Sequence, residues 1–251
     1  MDISDMKLDK NFELQKAFDC LVKNHAVWKN KKKKRIENHI KYGILLDEKK
    51  DVKDFANKIS SALENVWKTQ HYAMLKNALD NVNEDTYVAE VLTPILTATF
   101  SELPVSANYQ TNWGETESLS SKARKQGHVN KPDFKLRVKL GDKKLELVNM
   151  ETSRPEFDLR KQKSNHNRLA RGAKDTFEYF SISKNQKKFE FEELAKIFYL
   201  NIKGKYLSIH VFSQTKEKYY CFVKIDQAEI PLFQSKPEKV YKLMQLLLEL
   251  R

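Results

Sequence analysis

Two carboxylates flank a pair of short strand-like segments: Asp133 precedes the first segment, and Glu151 follows the second. The segments FKLRVKL (134–140) and KLELVNM (144–150) alternate apolar and polar residues, as half-buried strands do, and three residues separate them. An antiparallel hairpin that keeps the apolar side chains together on one face sets Asp133 opposite Glu151. The sequence therefore predicts that these two carboxylates share a face at the open end of a hairpin.

Opposed side chains on one face of a sheet have Cβ atoms about 5 Å apart. Two carboxylates at that distance repel each other unless a cation or a proton lies between them. Hard oxygen ligands are those that Mg²⁺ and Mn²⁺ prefer, and such a cation activates water and stabilises charge on a phosphate. The pair Asp133 and Glu151 is thus a candidate site for Mg²⁺ or Mn²⁺; the alternative is that both residues end their strands in solvent.

A third carboxylate is predicted on the helix that precedes this hairpin. The segment NEDTYVAEVLTPILTATFSEL (83–103) has helical apolar spacing, and Glu84 lies seven residues before Val91. Seven residues bring Glu84 within about 20° of the apolar stripe, so Glu84 is predicted to be directed along the core-facing side. Asp85 is an alternative, and Glu90, about 120° away, is predicted to be solvated.

The order of these motifs resembles a known nuclease superfamily. Lys131-Pro132-Asp133, a strand, a turn, a strand and then Glu151-Thr152-Ser153 are similar to the PD-(D/E)XK nucleases. Their core strands carry Pro-Asp and then Glu-x-Lys, after a helix with another acidic residue. The resemblance spans roughly residues 80–225. It implies a restriction-endonuclease-like fold and a metal-dependent endonuclease in which Asp133, Glu151 and Glu84 hold Mg²⁺ or Mn²⁺.

A narrower resemblance is to members of this superfamily that are abundant in early-diverging fungi. In these proteins Glu-x-Ser-x-Pro replaces Glu-x-Lys, and a basic helix with Lys-Leu-x-Arg and Lys-Asp follows. The matching segments here are Glu84 to Ile95, Glu151 to Pro155, Arg168 to Arg171, and Lys174-Asp175.

Ser153 stands where most of the superfamily has its lysine, and a serine cannot carry a positive charge. A substitute is expected from the next predicted helix, over roughly 157–180. There Lys163 lies about 40° from Leu159 in the apolar stripe, at the edge of the inward face. We therefore predict Lys163 as the relocated lysine; Arg154 is nearer in sequence, but its guanidinium cannot deprotonate.

The charge of the chain favours a polyanionic partner. The formal net charge is +12, with 46 Lys and Arg against 34 Asp and Glu, which predicts binding to DNA or RNA. The run KNKKKKR (29–35) is interpreted as a nuclear-localisation signal, a phosphate-contacting patch or a solvated helix surface. The predicted nucleic-acid contacts are Lys31, Lys32, Lys33, Lys34, Arg35, Arg154, Arg168, Arg171 and Lys174.

The rest of the chain supplies elements for an α/β (α+β) fold, with a mixed central sheet flanked by helices and a helical N-terminal extension. A basic helical region over 1–80 and a nuclease-like domain over 81–251 are the predicted domains. The predicted elements are helices within 9–80, a long polar loop over 105–131, a helix over 189–200, strands over 205–214 and 218–225, and a closing helix from residue 236.

Several classes of protein are disfavoured. Two distant cysteines exclude a disulfide framework and a Cys-rich zinc site. No apolar run approaches the roughly 18 residues of a membrane span, and the polar start is unlike a secretory signal, so an intracellular location, nuclear or cytoplasmic, is expected. Three hypotheses remain: a metal-dependent endonuclease, a catalytically inactive nuclease-fold protein that acts as a nucleic-acid-binding or effector module, or a protein-interaction scaffold that does not bind nucleic acid.

Overall fold

A computed structural model describes the protein over most of its second half and parts of its first. The described ranges are 48–69, 82–103, 108–114, 116–124, 129–140, 143–153, 159–184, 197–214 and 220–250. They fall into two compact units: the first combines Met1–Ser106 with Ala228–Arg251, and the second is Ala107–Gln227. The predicted division into domains at residue 80 stays a prediction. Within the described ranges, no helix has the length and apolar character needed to cross a membrane.

The first unit is helical. Apolar residues at three- and four-residue spacing give α1 a continuous buried stripe from Val52 to Val66, and α1 packs on α3 and α6. Trp67, near the end of α1, donates its indole N–H to the Pro231 carbonyl at 2.7 Å. Its helices are α1 (Glu48–Lys68), α2 (Glu84–Tyr87), a π-helical turn (Val88–Leu92), α3 (Thr93–Phe100) and α6 (Pro237–Leu248).

The helix predicted over 83–103 is confirmed, with one departure from ideal geometry. Asn83 caps it, since its Oδ1 accepts the Thr86 N–H at 2.7 Å. Pro94 has no N–H for the carbonyl four residues before it, and the helix widens into the π-helical turn at that point. The wider turn changes the helical phase. Glu90 is accordingly half-buried with Oε2 buried, although the ideal phase predicted a solvated side chain.

The second unit contains a mixed sheet, as predicted. The described residues form a six-stranded sheet in the order β1 to β6. The pairs β1–β2, β2–β3 and β4–β5 are antiparallel, and β3–β4 is parallel. The strands are β1 (Tyr109–Trp113), β2 (Phe134–Leu140), β3 (Lys143–Ser153), β4 (Phe198–Lys203), β5 (Tyr206–Gln214) and β6 (Tyr220–Glu229).

Two further helices belong to the second unit, α4 (Leu119–Ala123) and α5 (Leu159–Lys184). The helix predicted over 157–180 is α5, which packs across β3, β4 and β5. Leu169 and Ala173 of α5 are buried with Tyr199 in the same apolar cluster, so α5 covers one face of the sheet.

The loop predicted over 105–131 is wrong, because this segment contains β1 and α4. The sequence of β1, YQTNW, alternates Tyr, Thr and Trp with Gln and Asn over only five residues, and the strand is held at the end of the sheet by its pairing with β2. Ser118 caps α4 by accepting the Ser121 N–H at 3.3 Å. Both elements have five residues, which is too short a stretch for apolar periodicity to predict them.

The helix predicted over 189–200 is also wrong where the structure describes it. Residues 198–200 begin β4, and residues 189–196 lie outside the described ranges. Strand β4 lies in the middle of the sheet, where Tyr199, Leu200, Asn201 and Ile202 are all buried. A strand buried on both faces has a nearly continuous apolar sequence, which resembles that of a buried helix.

The predicted register of the β2–β3 hairpin is confirmed where it bears on the site, since Phe134 pairs with Met150. A β-bulge follows Leu136, so that Arg137 pairs with Glu146. The bulge shifts the alternation of β3 by one residue. It therefore puts Glu146 on the same face of the sheet as Glu151, the face that α5 covers.

Candidate active site on the helix-covered face of the sheet

A row of polar residues crosses five strands of the sheet on the face covered by α5. Consecutive register partners along this row belong to β1, β2, β3, β4 and β5 in turn. Such partners project from the same face, so their side chains are neighbours. The row consists of Asn112, Lys135, Asn149, Tyr199 and His210.

A second row lies two residues further along β3. Glu151 pairs with Asn201 of β4, which in turn pairs with Ser208 of β5. Asp133 immediately precedes β2 at the same end of the hairpin, and its N–H donates to the Met150 carbonyl at 2.9 Å. The structure thus brings Asp133 and Glu151 to the same end of the β2–β3 hairpin.

The two rows are unusual because most of their polar side chains, those on β2 to β5, are deeply buried. Lys135, Glu151 and Asn201 are each 0% exposed. Burying a polar group without a hydrogen bond is costly, and buried polar groups in proteins almost always have partners. Here several side-chain atoms make no hydrogen bond to any residue that the structure describes: Lys135 Nζ, Asn149 Oδ1, Asn201 Oδ1, Asn201 Nδ2 and His210 Nδ1.

The two predicted carboxylates have different surroundings. Glu151 Oε2 accepts a hydrogen bond from Arg168 Nη1 of α5 at 3.0 Å, and the Arg168 side chain is 47% exposed. Asp133 is half-buried, and its Oδ2 accepts the Thr152 N–H at 2.7 Å. That hydrogen bond holds the Asp133 carboxylate against the chain segment that carries Glu151.

Lys135 is a site residue that the sequence analysis did not identify. Burial, with a smaller contribution from the nearby Arg137 guanidinium, lowers the pKa of Lys135 to about 8, although the Glu146, Glu151 and Asp133 carboxylates act in the opposite direction. The signal was present in the alternation of FKLRVKL, which puts Lys135 on the same face as Asp133. What the alternation did not reveal is that this face is buried.

The predicted residues of α5 lie on its more exposed surface. Lys163, Arg171 and Lys174 are exposed, and the Lys174 ammonium lies 3.7 Å from Glu178. Arg168 of α5, five residues after Lys163, donates a hydrogen bond to Glu151. The predicted role of Lys163 stays a prediction.

The other predicted residues lie elsewhere in the chain. Glu84 begins α2 in the first unit, where it is half-buried, and its assignment to the metal site stays a prediction. Arg154 and the basic run lie outside the described residues, the latter consisting of Lys31, Lys32, Lys33, Lys34 and Arg35.

Ser153, at the position of the superfamily lysine, is 1% exposed and donates its hydroxyl to the Ile202 carbonyl at 3.0 Å. Its register partner on β4 is Lys203, which is half-buried. A lysine therefore lies beside Ser153 on the neighbouring strand. Residue 203 is fifty positions away in sequence, and only strand pairing brings it to this place.

The oxygen atoms at this end of the hairpin are of the chemical type that a hard divalent cation binds. Among the described residues, no group of three or more His, Cys, Asp or Glu side chains is placed to hold a metal ion. Two carboxylates, those of Asp133 and Glu151, are present with the buried amide oxygen of Asn149. Mg²⁺ is commonly bound through one or two carboxylates, with water and substrate phosphate completing its octahedron.

Comparisons of the chain with protein-family models, with curated proteins and with solved structures found no match. Function is therefore inferred from the side chains of this site.

Proposed function

We propose that this protein is a metal-dependent nuclease that hydrolyses phosphodiester bonds of DNA or RNA with Mg²⁺ or Mn²⁺. The observation that carries the proposal is the meeting of Asp133, Glu151 and Lys135 at one end of the β2–β3 hairpin, where Lys135 and Glu151 are fully buried. The two carboxylates would hold the cation, whose chemistry is to polarise a phosphate oxygen and lower the pKa of a bound water.

Lys135 supplies a positive charge beside these carboxylates. Because its ammonium is buried, its interaction with the charge that develops on a phosphate is screened less than it would be in water. We assign to Lys135 the electrostatic role that the sequence analysis expected of Lys163, since Lys135 lies among the carboxylates and Lys163 is exposed.

The exposed cations of α5 are suited to hold the nucleic-acid backbone. Arg168, Arg171 and Lys174 lie on the helix that covers the site, and the whole chain carries a formal charge of +12. Contacts between such cations and phosphates release counterions, so the affinity should fall steeply with salt. The basic run 29–35 and Arg154 are proposed to add to this binding.

A second candidate function is nucleic-acid binding without cleavage. The observation that favours it is the hydrogen bond from Arg168 to Glu151, because a guanidinium on Oε2 competes with a cation for the same oxygen. Under this proposal the carboxylates stabilise the nuclease-like fold, and the exposed cations alone carry the function.

Cleavage assays distinguish these two functions. We expect the full chain to cleave plasmid DNA or a structured RNA with Mn²⁺ and to be inactive in EDTA. Asp133→Asn, Glu151→Gln and Lys135→Met should each lose at least about 100-fold in rate, the size typical of removing a charged transition-state contact. Glu117→Gln, an exposed carboxylate of the same unit, is the matched control and should retain full activity.

Calorimetric titration with Mn²⁺ provides the second readout. Binding that disappears in Glu151→Gln supports the nuclease. Salt-sensitive binding of nucleic acid without Mn²⁺ binding or cleavage supports the second candidate. Undiminished cleavage by folded Asp133→Asn and Glu151→Gln would refute the assigned site.

A further inference from the structure

Beyond Glu151, toward β5 and β6, the two polar rows enter a region where the charged groups are lysines rather than carboxylates. At the hairpin end the groups around Lys135 include three carboxylates, those of Glu146, Glu151 and Asp133. Toward β5 and β6, the charged groups that act on His210 are Lys203 and Lys224, and Lys203 also acts on His166. The part of the face toward β5 and β6 is called the basic half. Asn201, the register partner of Glu151, lies between the carboxylates at the hairpin end and this basic half.

Asn201 is the clearest sign of a ligand in the basic half. It is 0% exposed, and neither Oδ1 nor Nδ2 makes a hydrogen bond to a residue that the structure describes. A side-chain amide has two donor hydrogens and an acceptor oxygen, so this burial leaves several hydrogen bonds unmade. Buried groups of this kind require an explanation, and a bound polar molecule provides one.

His210 is a second buried group in the same region. It is 5% exposed, and Nδ1 makes no hydrogen bond to the described residues. Its ring stacks on Phe222, with centroids 4.9 Å apart and 9° between the planes. The His166 ring of α5 lies 5.5 Å from it, so α5, β5 and β6 hold both imidazoles in place.

The electrostatics of this half favour an anion. Burial, and then the nearby His166, Lys203 and Lys224, lower the pKa of His210 to about 4, and burial followed by Lys203 lowers that of His166. Both imidazoles are therefore neutral at pH 7, and a backbone hydrogen bond with Tyr199 already engages His210. Two lysines, two neutral imidazoles and an amide together offer donors and positive charge, which is the chemistry that binds a phosphate group.

We propose that this half of the face is an anion-binding subsite for a phosphate group of a nucleic-acid strand, adjacent to the phosphate that is cleaved at Glu151. The assignment to a strand rests on the proposed nuclease function; the anion site itself does not. Asn201 and Lys203, two residues apart on one face of β4, form the side nearest Glu151 and Ser153. The subsite residues are His166, Asn201, Lys203, His210 and Lys224.

The test uses the full chain in EDTA, titrated with inorganic phosphate and followed by NMR of the histidine ring C–H signals. We expect saturable shifts of the His166 and His210 signals, and a raised pKa of each imidazole in the bound state, since an anion favours the imidazolium. Chloride at matched ionic strength should produce neither change. Absence of saturable shifts at these two histidines would overturn the proposal.

Matched lysine variants distinguish phosphate binding at a specific site from phosphate attraction by the general surface charge. Lys203→Gln and Lys224→Gln should each weaken phosphate binding about tenfold, the size of one charged hydrogen bond. Lys205→Gln, at the turn after β4, removes the same charge and should leave the affinity unchanged. Equal weakening by Lys203→Gln and Lys205→Gln would overturn the subsite, provided that circular dichroism shows both variants folded.

A short single-stranded oligonucleotide then identifies the source of the phosphate. In EDTA it should produce the same histidine shifts at a concentration at least tenfold below that of inorganic phosphate, because neighbouring contacts add to its affinity. Failure to displace phosphate would overturn the assignment to a nucleic-acid strand. Phosphate binding together with cleavage that persists in Glu151→Gln would support the anion site and refute the proposed active site, so the two failures are distinguishable.

Discussion

Strand β3 carries two buried glutamates on one face, and they differ in what surrounds them. Glu146 is 2% exposed and receives hydrogen bonds on both oxygens: Ser118 Oγ donates to Oε2 at 2.7 Å, and the Leu119 N–H donates to Oε1 at 3.0 Å. Arg137 adds donors from Nε at 3.1 Å and from Nη2 at 2.9 Å, both to Oε1. Glu146 therefore belongs to a satisfied network that attaches the start of α4 to the hairpin.

Glu151 is 0% exposed, yet the side chains beside it are not satisfied in the same way. The adjoining Lys135, Asn149 and Asn201 each have polar atoms without a hydrogen bond to any described residue. The arginine at Glu151, Arg168, is about half exposed, whereas Arg137 at Glu146 is largely buried. The same residue type at nearly the same depth thus belongs to a fully hydrogen-bonded network at one position and lies beside unsatisfied polar groups at the other.

The largest effect expected from this comparison is on stability. We expect Glu146→Gln to lower the free energy of unfolding by about 3–5 kcal/mol, because it leaves the buried Arg137 guanidinium without its counter-charge. Glu151→Gln should cost less than about 1 kcal/mol, since the half-exposed Arg168 regains contact with water. Urea denaturation of both variants measures the difference. Equal losses of stability would contradict the distinction between the two glutamates.

An intermediate effect is expected from pH, through the buried His210. Its pKa is near 4 in the folded protein and about 6.5 when unfolded, so between these values the unfolded chain binds more protons. The contribution of the neutral His210 to the free energy of unfolding is therefore fully present above pH 6.5 and is lost as the pH falls toward 4. The His210 contribution to this loss should be about 2 kcal/mol at pH 5.

The control for this prediction is His210→Phe, which keeps an aromatic ring against Phe222. The difference in unfolding free energy between pH 7.5 and pH 5 should be smaller by about 2 kcal/mol in the variant than in the wild type. The same pH dependence in both proteins would show that His210 does not remain neutral on folding.

The smallest effect is a gain in stability at Lys135. We expect Lys135→Met to raise the free energy of unfolding by about 1 kcal/mol, because an apolar chain of similar length replaces a buried ammonium with no hydrogen bond to the described residues. Thermal unfolding measures the change. A stabilising substitution that also abolishes cleavage is typical of a functional residue. A marked loss of stability would instead place Lys135 with Glu146, as a structural residue.

Part of this fold could be predicted because its patterns are local. The alternation of β2 and β3 predicted the hairpin, and pairing apolar with apolar residues predicted its register at Asp133 and Glu151. The predicted turn was one residue too long: Leu140 pairs with Lys143, and the β-bulge restores the register by adding a residue to β3. The predicted register was right at the end of the hairpin nearer Asp133 and Glu151, because burial of the apolar face constrains strand pairing more strongly than turn length does.

Two of the errors share a physical cause, which is that strands β4 and β1 are defined by their partners. Strand β4 is central and has a nearly continuous apolar sequence, and β1 has only five residues, so neither shows a long enough two-residue period to predict a half-buried strand. Without β4 in the sheet, neither Asn201 nor Lys203 could be placed beside β3. Their position beside Glu151 and Ser153 was therefore not accessible from sequence periodicity.

Short-range periodicity and apolar burial suffice to predict the hairpin, the helix α5 and the position of Asp133 opposite Glu151. Which face of the sheet is buried and polar, and which distant residues pair with the strand that carries Glu151, depends on the tertiary fold. The parallel pairing of β3 with β4, for example, brings Lys203 beside Ser153. Burial and strand partners depend on elements distant in the chain, so local patterns do not encode them.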